Sequence, residues 1–272
     1  MWPWVPAFAG TSGSGATKMT ATTPLALSTR GLSMSFGSLV VARDIELSLP
    51  AGARYALIGP NGAGKTTLIN LMTGMLAPKS GQIFLGDEDV TALAPQQRVR
   101  RGLARTFQIN TLFPGLNALE AVTLAVAERR GIAGRFWQNI AVHGEAIEEA
   151  YEILVKLKLG DSCYQPTREL PYGRQRLLEI ALALASKPKV LLLDEPAAGV
   201  PQDESGDIFE VVAGLSDDLT LLFIEHDMHV VFRFASHIFV LVGGALFAQG
   251  SPQEIAADPG VREVYLGKRK HG

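Results

Sequence analysis

The sequence predicts an α/β fold: a parallel-sheet core carrying an N-terminal antiparallel β subdomain and interrupted by a helical subdomain. Three observations point there. A short apolar strand, Tyr55 to Ile58, runs through a glycine-rich turn into a helical stretch from about Lys65 to Met75. The runs Val190 to Leu193 and Thr220 to Ile224 are continuously apolar, as strands buried on both faces of a parallel sheet must be. Between them the middle of the chain has the periodicity of helices rather than strands.

In chain order, Met1 to Thr20 combines two tryptophans with a Gly/Ser/Thr stretch and has no basic segment ahead of a sustained apolar core. It reads as a disordered or adventitious extension, with Met19 a sensible alternative start, so residues 1–24 are set aside. Leu25 to Leu57 offers short Val/Ile/Leu-rich runs broken at Phe36-Gly37 and Pro50-Ala51-Gly52, the pattern of antiparallel strands and turns. The helical subdomain occupies about 109–185, with Ala146, Ala150, Ile153, Leu154 and Leu157 on one helix face. Strand and helix then alternate again, so one domain spans 25–268 and leaves a tail at 269–272.

Composition bounds the function. With 47% hydrophobic and 19% charged residues, the 272-residue chain can bury a substantial core. A formal net charge of −2 gives no reason to expect nucleic acid as a partner. The single cysteine, Cys163, can close no disulfide within the chain and is expected to pack as a small apolar residue. The longest membrane candidate, Ile238 to Ala248, is too short for a spanning helix and contains Gly243 and Gly244, so a soluble chain is expected.

The chemistry concentrates in two segments. Gly59-Pro60-Asn61-Gly62-Ala63-Gly64-Lys65-Thr66, followed by Thr67, fits the phosphate-cradling pattern G-x-x-x-x-G-K-[ST] between a strand and a helix. Its glycines let backbone N–H groups converge on phosphate oxygens, and the helix adds its free N–H groups and positive dipole end. Lys65 supplies a charge for the β and γ phosphates, and Thr66 an oxygen for Mg²⁺. The second segment, Val190-Leu191-Leu192-Leu193-Asp194-Glu195, delivers two acids to the end of a buried strand, where open α/β sheets bind ligands. Asp194 suits the Mg²⁺ shell, and Glu195 suits a general base that polarises water for attack on the γ phosphate.

Leu170-Pro171-Tyr172-Gly173-Arg174-Gln175-Arg176, ahead of a helix from Leu177 to Ala185, resembles the L-S-G-G-Q signature of ABC ATPases in its place before the acidic strand. The resemblance covers about Leu25 to Gly267 and implies an ABC cassette with a RecA-like core, hydrolysing ATP with Mg²⁺. It implies that Phe36 stacks on adenine, that Gln108 in Ala104-Arg105-Thr106-Phe107-Gln108 reaches the Mg²⁺ and the attacking water, and that His226 in Phe223-Ile224-Glu225-His226-Asp227 contacts the γ phosphate. The signature, Leu170 to Arg174, would complete a partner's ATP site.

The finer resemblance is to ATPases of branched-chain amino acid uptake. It rests on Ala104 to Gln108 leading into Leu112-Phe113-Pro114, on Tyr172, on Glu195-Pro196-Ala197-Ala198-Gly199, on Ile224 to Met228 and on the tail Val264-Tyr265-Leu266-Gly267. It implies a peripheral position on the cytoplasmic face of the inner membrane, permease subunits as partners, a second ATPase or a second copy as dimer mate, and a periplasmic binding protein acting indirectly. The apolar cluster Leu112, Phe113 and Pro114 is expected to receive a permease helix. Three positions depart from the family pattern: Pro171 for serine, Arg174 for glutamine, and Pro201 where Asp or Asn is usual. The alternatives are a lipid or lipopolysaccharide exporter ATPase, a soluble non-transport ABC protein, and a poorly hydrolysing regulatory subunit.

Overall fold

A computed structural model describes residues 24–106, 113–132, 140–200 and 202–266. The strands are β1 (Leu25–Phe36), β2 (Leu39–Pro50), β3 (Arg54–Ile58), β4 (Ser80–Leu85), β5 (Glu88–Asp89), β6 (Leu103–Arg105), β7 (Val190–Asp194), β8 (Thr220–Ile224), β9 (His237–Val242) and β10 (Ala245–Gly250). The helices are α1 (Lys65–Thr73), α2 (Pro95–Arg100), α3 (Ala118–Arg129), α4 (Ile140–Lys156), α5 (Tyr172–Leu184), α6 (Gln202–Ala213), α7 (Met228–Phe234), α8 (Pro252–Ala257) and α9 (Pro259–Leu266).

Two sheets organise the chain. An antiparallel sheet runs β2-β1-β4-β5, and a six-stranded sheet runs β10-β9-β3-β8-β7-β6. In the second sheet only β10 is antiparallel to its neighbour. The apolar run from Ile238 to Ala248 is therefore a hairpin, β9 and β10, turning at Gly243 and Gly244. Among the described residues no helix is long and apolar enough to cross a membrane.

Because strand side chains alternate between faces, the parallel strands feed two cores at once. Leu57, Leu192, Leu222 and Ile224 pack with Leu68, Ile69 and Met72 of α1 and with the inward residues of β1 and β2. Ala56, Ile58, Leu191, Leu193, Leu221 and Phe223 face the other way, into a core shared with α3, α4 and α5. The apolar face of α4 is as its periodicity predicts: Ala146, Ala150, Leu154 and Leu157 are buried, with Ile153 packed beside them. Cys163 lies in the same core as a free thiol.

Local signals set several element ends. Asn117 and Glu120 form a reciprocal capping box at the start of α3, each side chain accepting from the other's backbone N–H. The fully buried guanidinium of Arg98 donates to the carbonyls of Leu71, Met72, Thr91 and Leu93, satisfying the end of α1 from within α2. One boundary differs from the expectation of a helix from Leu177 to Ala185. α5 begins at Tyr172, with Pro171 as its N-cap and the Gln175 N–H closing the first turn onto the Pro171 carbonyl. A glycine inside the motif argues locally for a loop, but side-chain contacts described below hold Tyr172 to Arg174 in helix.

Candidate nucleotide site

The register of the parallel sheet builds the site. Ile224 of β8 lies between Leu57 of β3 and Asp194 of β7, so the three strands end level with one another. The segments that leave them, 59–66, 195–200 and 225–228, therefore meet at one sheet edge, where such folds bind ligands. A cleft of about 960 Å³ at the opposite edge, lined by Val190 and Thr220 where β7 and β8 begin, is remote from these segments.

Gly64 shows why the phosphate loop needs glycine at its last position. Its φ is +103°, and a Cβ there would stand 2.4 Å from the Val41 carbonyl oxygen. That contact presses the β1–β2 hairpin against the loop. Phe36, at the tip of the hairpin, keeps half its surface exposed. Gly59 and Ala63 are buried, whereas Asn61, Gly62 and Thr66 face solvent, Pro60, Gly64 and Thr67 lying between. Lys65 is buried, and its ammonium donates to the carbonyls of Gly59 at 2.7 Å and Pro60 at 3.2 Å. Burial lowers its pKa from the usual lysine value, against an opposing pull from Glu195 and Asp194.

Asp194 ends β7, and its Oδ2 accepts from Arg105 at 2.6 Å. The next residue, Glu195, has φ +49°, a left-handed conformation that costs a non-glycine residue roughly 1 kcal/mol or more. Its N–H donates to the Ile224 carbonyl at 3.1 Å, and its Oε1 lies 2.5 Å from His226 Nε2. The two side chains singled out for catalysis thus touch, although 31 residues separate them.

Glu225 had no role in the sequence reading, yet it shapes this corner. Its carboxylate accepts from the N–H of Ala197 and of His226, tying the loop after Glu195 to the loop carrying the histidine. Burial raises its pKa, partly offset by those two hydrogen bonds. The only signal was its position beside His226 at the end of an apolar strand. Arg105 and its second partner Asn70 were missed likewise.

Thr66, at the start of α1, and Asp194, at the end of β7, offer oxygen ligands of the kind Mg²⁺ prefers. Among the described residues no cluster of three His, Cys, Asp or Glu could hold a metal without help. This donor set fits an ion that takes most of its oxygens from phosphates and water. Gln108, Leu112 and Pro201 lie outside the described residues.

Comparison with known proteins agrees with this geometry. Residues 42–198 match the ABC transporter family model, and residues 245–271 match that of the branched-chain amino acid ATP-binding cassette transporter. The chain belongs to the ABC transporter ATP-binding cassettes. It is 37% identical over 251 residues to BraF, a high-affinity branched-chain amino acid transport ATP-binding protein of Pseudomonas aeruginosa, covering 89% of this chain and 98% of that one. LivG of Escherichia coli, of the same description, is 36% identical with the same coverage. An ATP-binding cassette of an ABC transporter solved in its ADP conformation superposes with a TM-score of 0.79 at 30% identity, covering 91% of this chain and all of that one.

The segment expected to be the signature, Leu170 to Arg174, leads into the first turn of α5. Leu170 is buried and Pro171 exposed, so the residue capping the helix offers no hydroxyl. Arg174 pairs with Asp161 through both terminal nitrogens, at 2.8 and 3.0 Å, and donates to the Ser162 hydroxyl. The ring of Tyr172 lies over Gly199, where φ is +79° and a Cβ would come within 3.0 Å of the phenol oxygen. Arg176 donates to that phenol and to the Ala198 carbonyl, binding the signature helix to the loop after Glu195. Glycine at 199 and tyrosine at 172 are thus two halves of one contact.

Arg176 also donates to Glu179 Oε2 at 3.0 Å, while Glu179 Oε1 is buried without a partner. Burial outweighs the arginine and pushes the carboxyl from the ordinary 4.5 up to about 7. A raised carboxyl pKa stabilises the fold fully below the unfolded value. The contribution falls between pH 4.5 and 7 and is gone above that window. Glu179→Gln should remove this component, worth at most about 3 kcal/mol. Denaturant unfolding across that pH range should show wild-type stability declining relative to the variant, and parallel curves would refute the assignment.

Proposed function

We propose that this chain hydrolyses ATP to ADP and phosphate on the cytoplasmic face of the inner membrane to power an importer of branched-chain amino acids or related small polar solutes. The convergence of Lys65, Asp194, Glu195 and His226 on one sheet edge carries this reading. The match of residues 245–271 to the branched-chain family supports uptake rather than lipid export. In this scheme Lys65 and the loop N–H groups hold the β and γ phosphates, Phe36 stacks on adenine, and Gln108 links the site to the helical subdomain. Thr66, Gln108 and Asp194 would hold Mg²⁺, which neutralises charge on the phosphates when bound. Glu195 polarises the attacking water, and His226, whose Nε2 touches the Glu195 carboxylate, reaches toward the γ phosphate. With the full transporter in vesicles, Glu195→Gln should keep ATP binding and lower turnover about a hundredfold or more, abolishing ATP-driven leucine uptake. Lys65→Ala should weaken binding itself. Normal turnover in both variants would remove the assignment.

Coupling to the permease is assigned to the surface at Phe113 and Pro114. The Phe113 carbonyl accepts from Thr167 Oγ1 at 2.7 Å, fixing the backbone, while its ring stays 60% exposed. A fixed backbone presenting an exposed aromatic ring suits a helix-receiving surface better than an ordinary packed turn. Phe113→Ala should uncouple uptake while basal ATPase persists; loss of folding would show that the ring serves packing.

The cassettes are taken to close head to tail, each signature completing the site of its mate. Pro171 then supplies neither hydroxyl nor N–H to the mate's γ phosphate. A charge-assisted hydrogen bond is worth roughly 1.5–3 kcal/mol, or one to two orders of magnitude in rate. Two such copies would make two weakened sites, which favours a second, different ATPase as mate. Pro171→Ser should raise turnover at the mate's site, isolated by Glu195→Gln on this chain. Unaltered turnover would show the proline to be neutral and end the argument for unlike mates.

A further inference from the structure

Arg105 lies in the Ala104 to Gln108 run, in which Gln108 is the residue expected at the site. β6 pairs in parallel with β7, setting Arg105 opposite Leu192 and therefore on the same sheet face as Asp194, two residues further along. That face is covered by α1. From there the guanidinium makes two hydrogen bonds, Nη2 to Asp194 Oδ2 at 2.6 Å and Nη1 to Asn70 Oδ1 of α1 at 2.5 Å. The arginine and aspartate side chains are only 16% and 18% exposed. Thr106 adds a backbone tie: its N–H donates to the Leu192 carbonyl, and its hydroxyl accepts from the Asp194 N–H at 3.4 Å. Arg105 at the end of β6 and Thr106 just after it therefore hold Asp194 by its side chain and by its backbone.

We propose that Arg105 is a positioning residue for the metal-site carboxylate, a stand-in cation that holds and neutralises Asp194 so that nucleotide can enter before or without its metal. The inference rests on the reading of Asp194 as the Mg²⁺ carboxylate. Charge counting supplies the reason. Lys65 and Arg105 oppose Asp194 and Glu195 around the phosphate loop. Without Arg105, a triphosphate arriving alone meets an excess of negative charge in a partly desolvated corner, whereas one arriving with Mg²⁺ brings its own compensation. Guanidinium suits the task because it can grip an amide and a carboxylate at once in a fixed plane.

The test uses the full chain and calorimetric titration with ATP, once with Mg²⁺ and once with EDTA. Arg105→Met should weaken metal-free binding about tenfold, against less than about threefold for the Mg²⁺ form, as expected when one of four local charges is removed. The ratio of the two affinities is the decisive readout, because a merely structural role would weaken both forms equally and leave it unmoved. An unmoved ratio, or tighter metal-free binding, would overturn the proposal. Arg105→Lys retains the charge and should restore the ratio. Should Arg105→Met not fold, Arg105→Gln removes the charge but retains hydrogen-bonding capacity, and the same shift is required of it. Asp194→Asn separates the two claims: if it leaves the Mg²⁺ dependence of binding intact, the metal reading fails. If it abolishes that dependence while the arginine variants leave the ratio unmoved, only the role of Arg105 fails.

Discussion

The alignment of three parallel strands is the constraint on which this site depends. β3, β8 and β7 lie side by side with Ile224 flanked by Leu57 and Asp194, so a shift of one residue in either ladder would turn Asp194 to the other face. The buried faces resist that slip, since both present unbroken apolar side chains to packed helices. A phosphate loop, a pair of acids and a histidine from distant parts of the chain are thereby brought to one edge by the two strand ladders. Precision at the site is thus a consequence of packing in the core.

At that edge the charged groups named above are already engaged. Lys65 folds onto the carbonyls of its own loop, Asp194 holds Arg105, Glu195 holds His226, and Glu225 receives two backbone N–H groups. These pairings meet the cost of partial desolvation for each charge. They also mean that nucleotide binding exchanges partners instead of filling an inert space. The left-handed conformation of Glu195 fits this picture, for it aims the carboxylate at the histidine while neighbouring backbone bonds hold the strained residue in place.

α5 is joined to the same sheet edge. Tyr172 and Arg176 reach the loop of Ala198 and Gly199, and Arg174 anchors the helix start on Asp161 and Ser162. A displacement of α5 would pull on the segment that follows Glu195. Among the described residues, these polar contacts join the helical part of the chain to that sheet edge.

The sequence by itself determined the fold class, the antiparallel start, the buried strands and the phosphate loop, because these depend on local periodicity and on residue types with few substitutes. Lys65, Asp194 and Glu195 were singled out on the same local grounds, a glycine-rich loop after one apolar strand and a pair of acids at the end of another, whereas His226 was expected from the family resemblance. Tertiary structure alone decided where α5 begins, since Tyr172 and Arg174 are held helical by partners at 199 and 161 that no local window contains. It alone also revealed Arg105 joined to Asp194 across 89 positions, and Glu225 bridging two loops. A lone charged residue at a strand end has many possible partners in sequence, and only the packing of one strand against another selects among them.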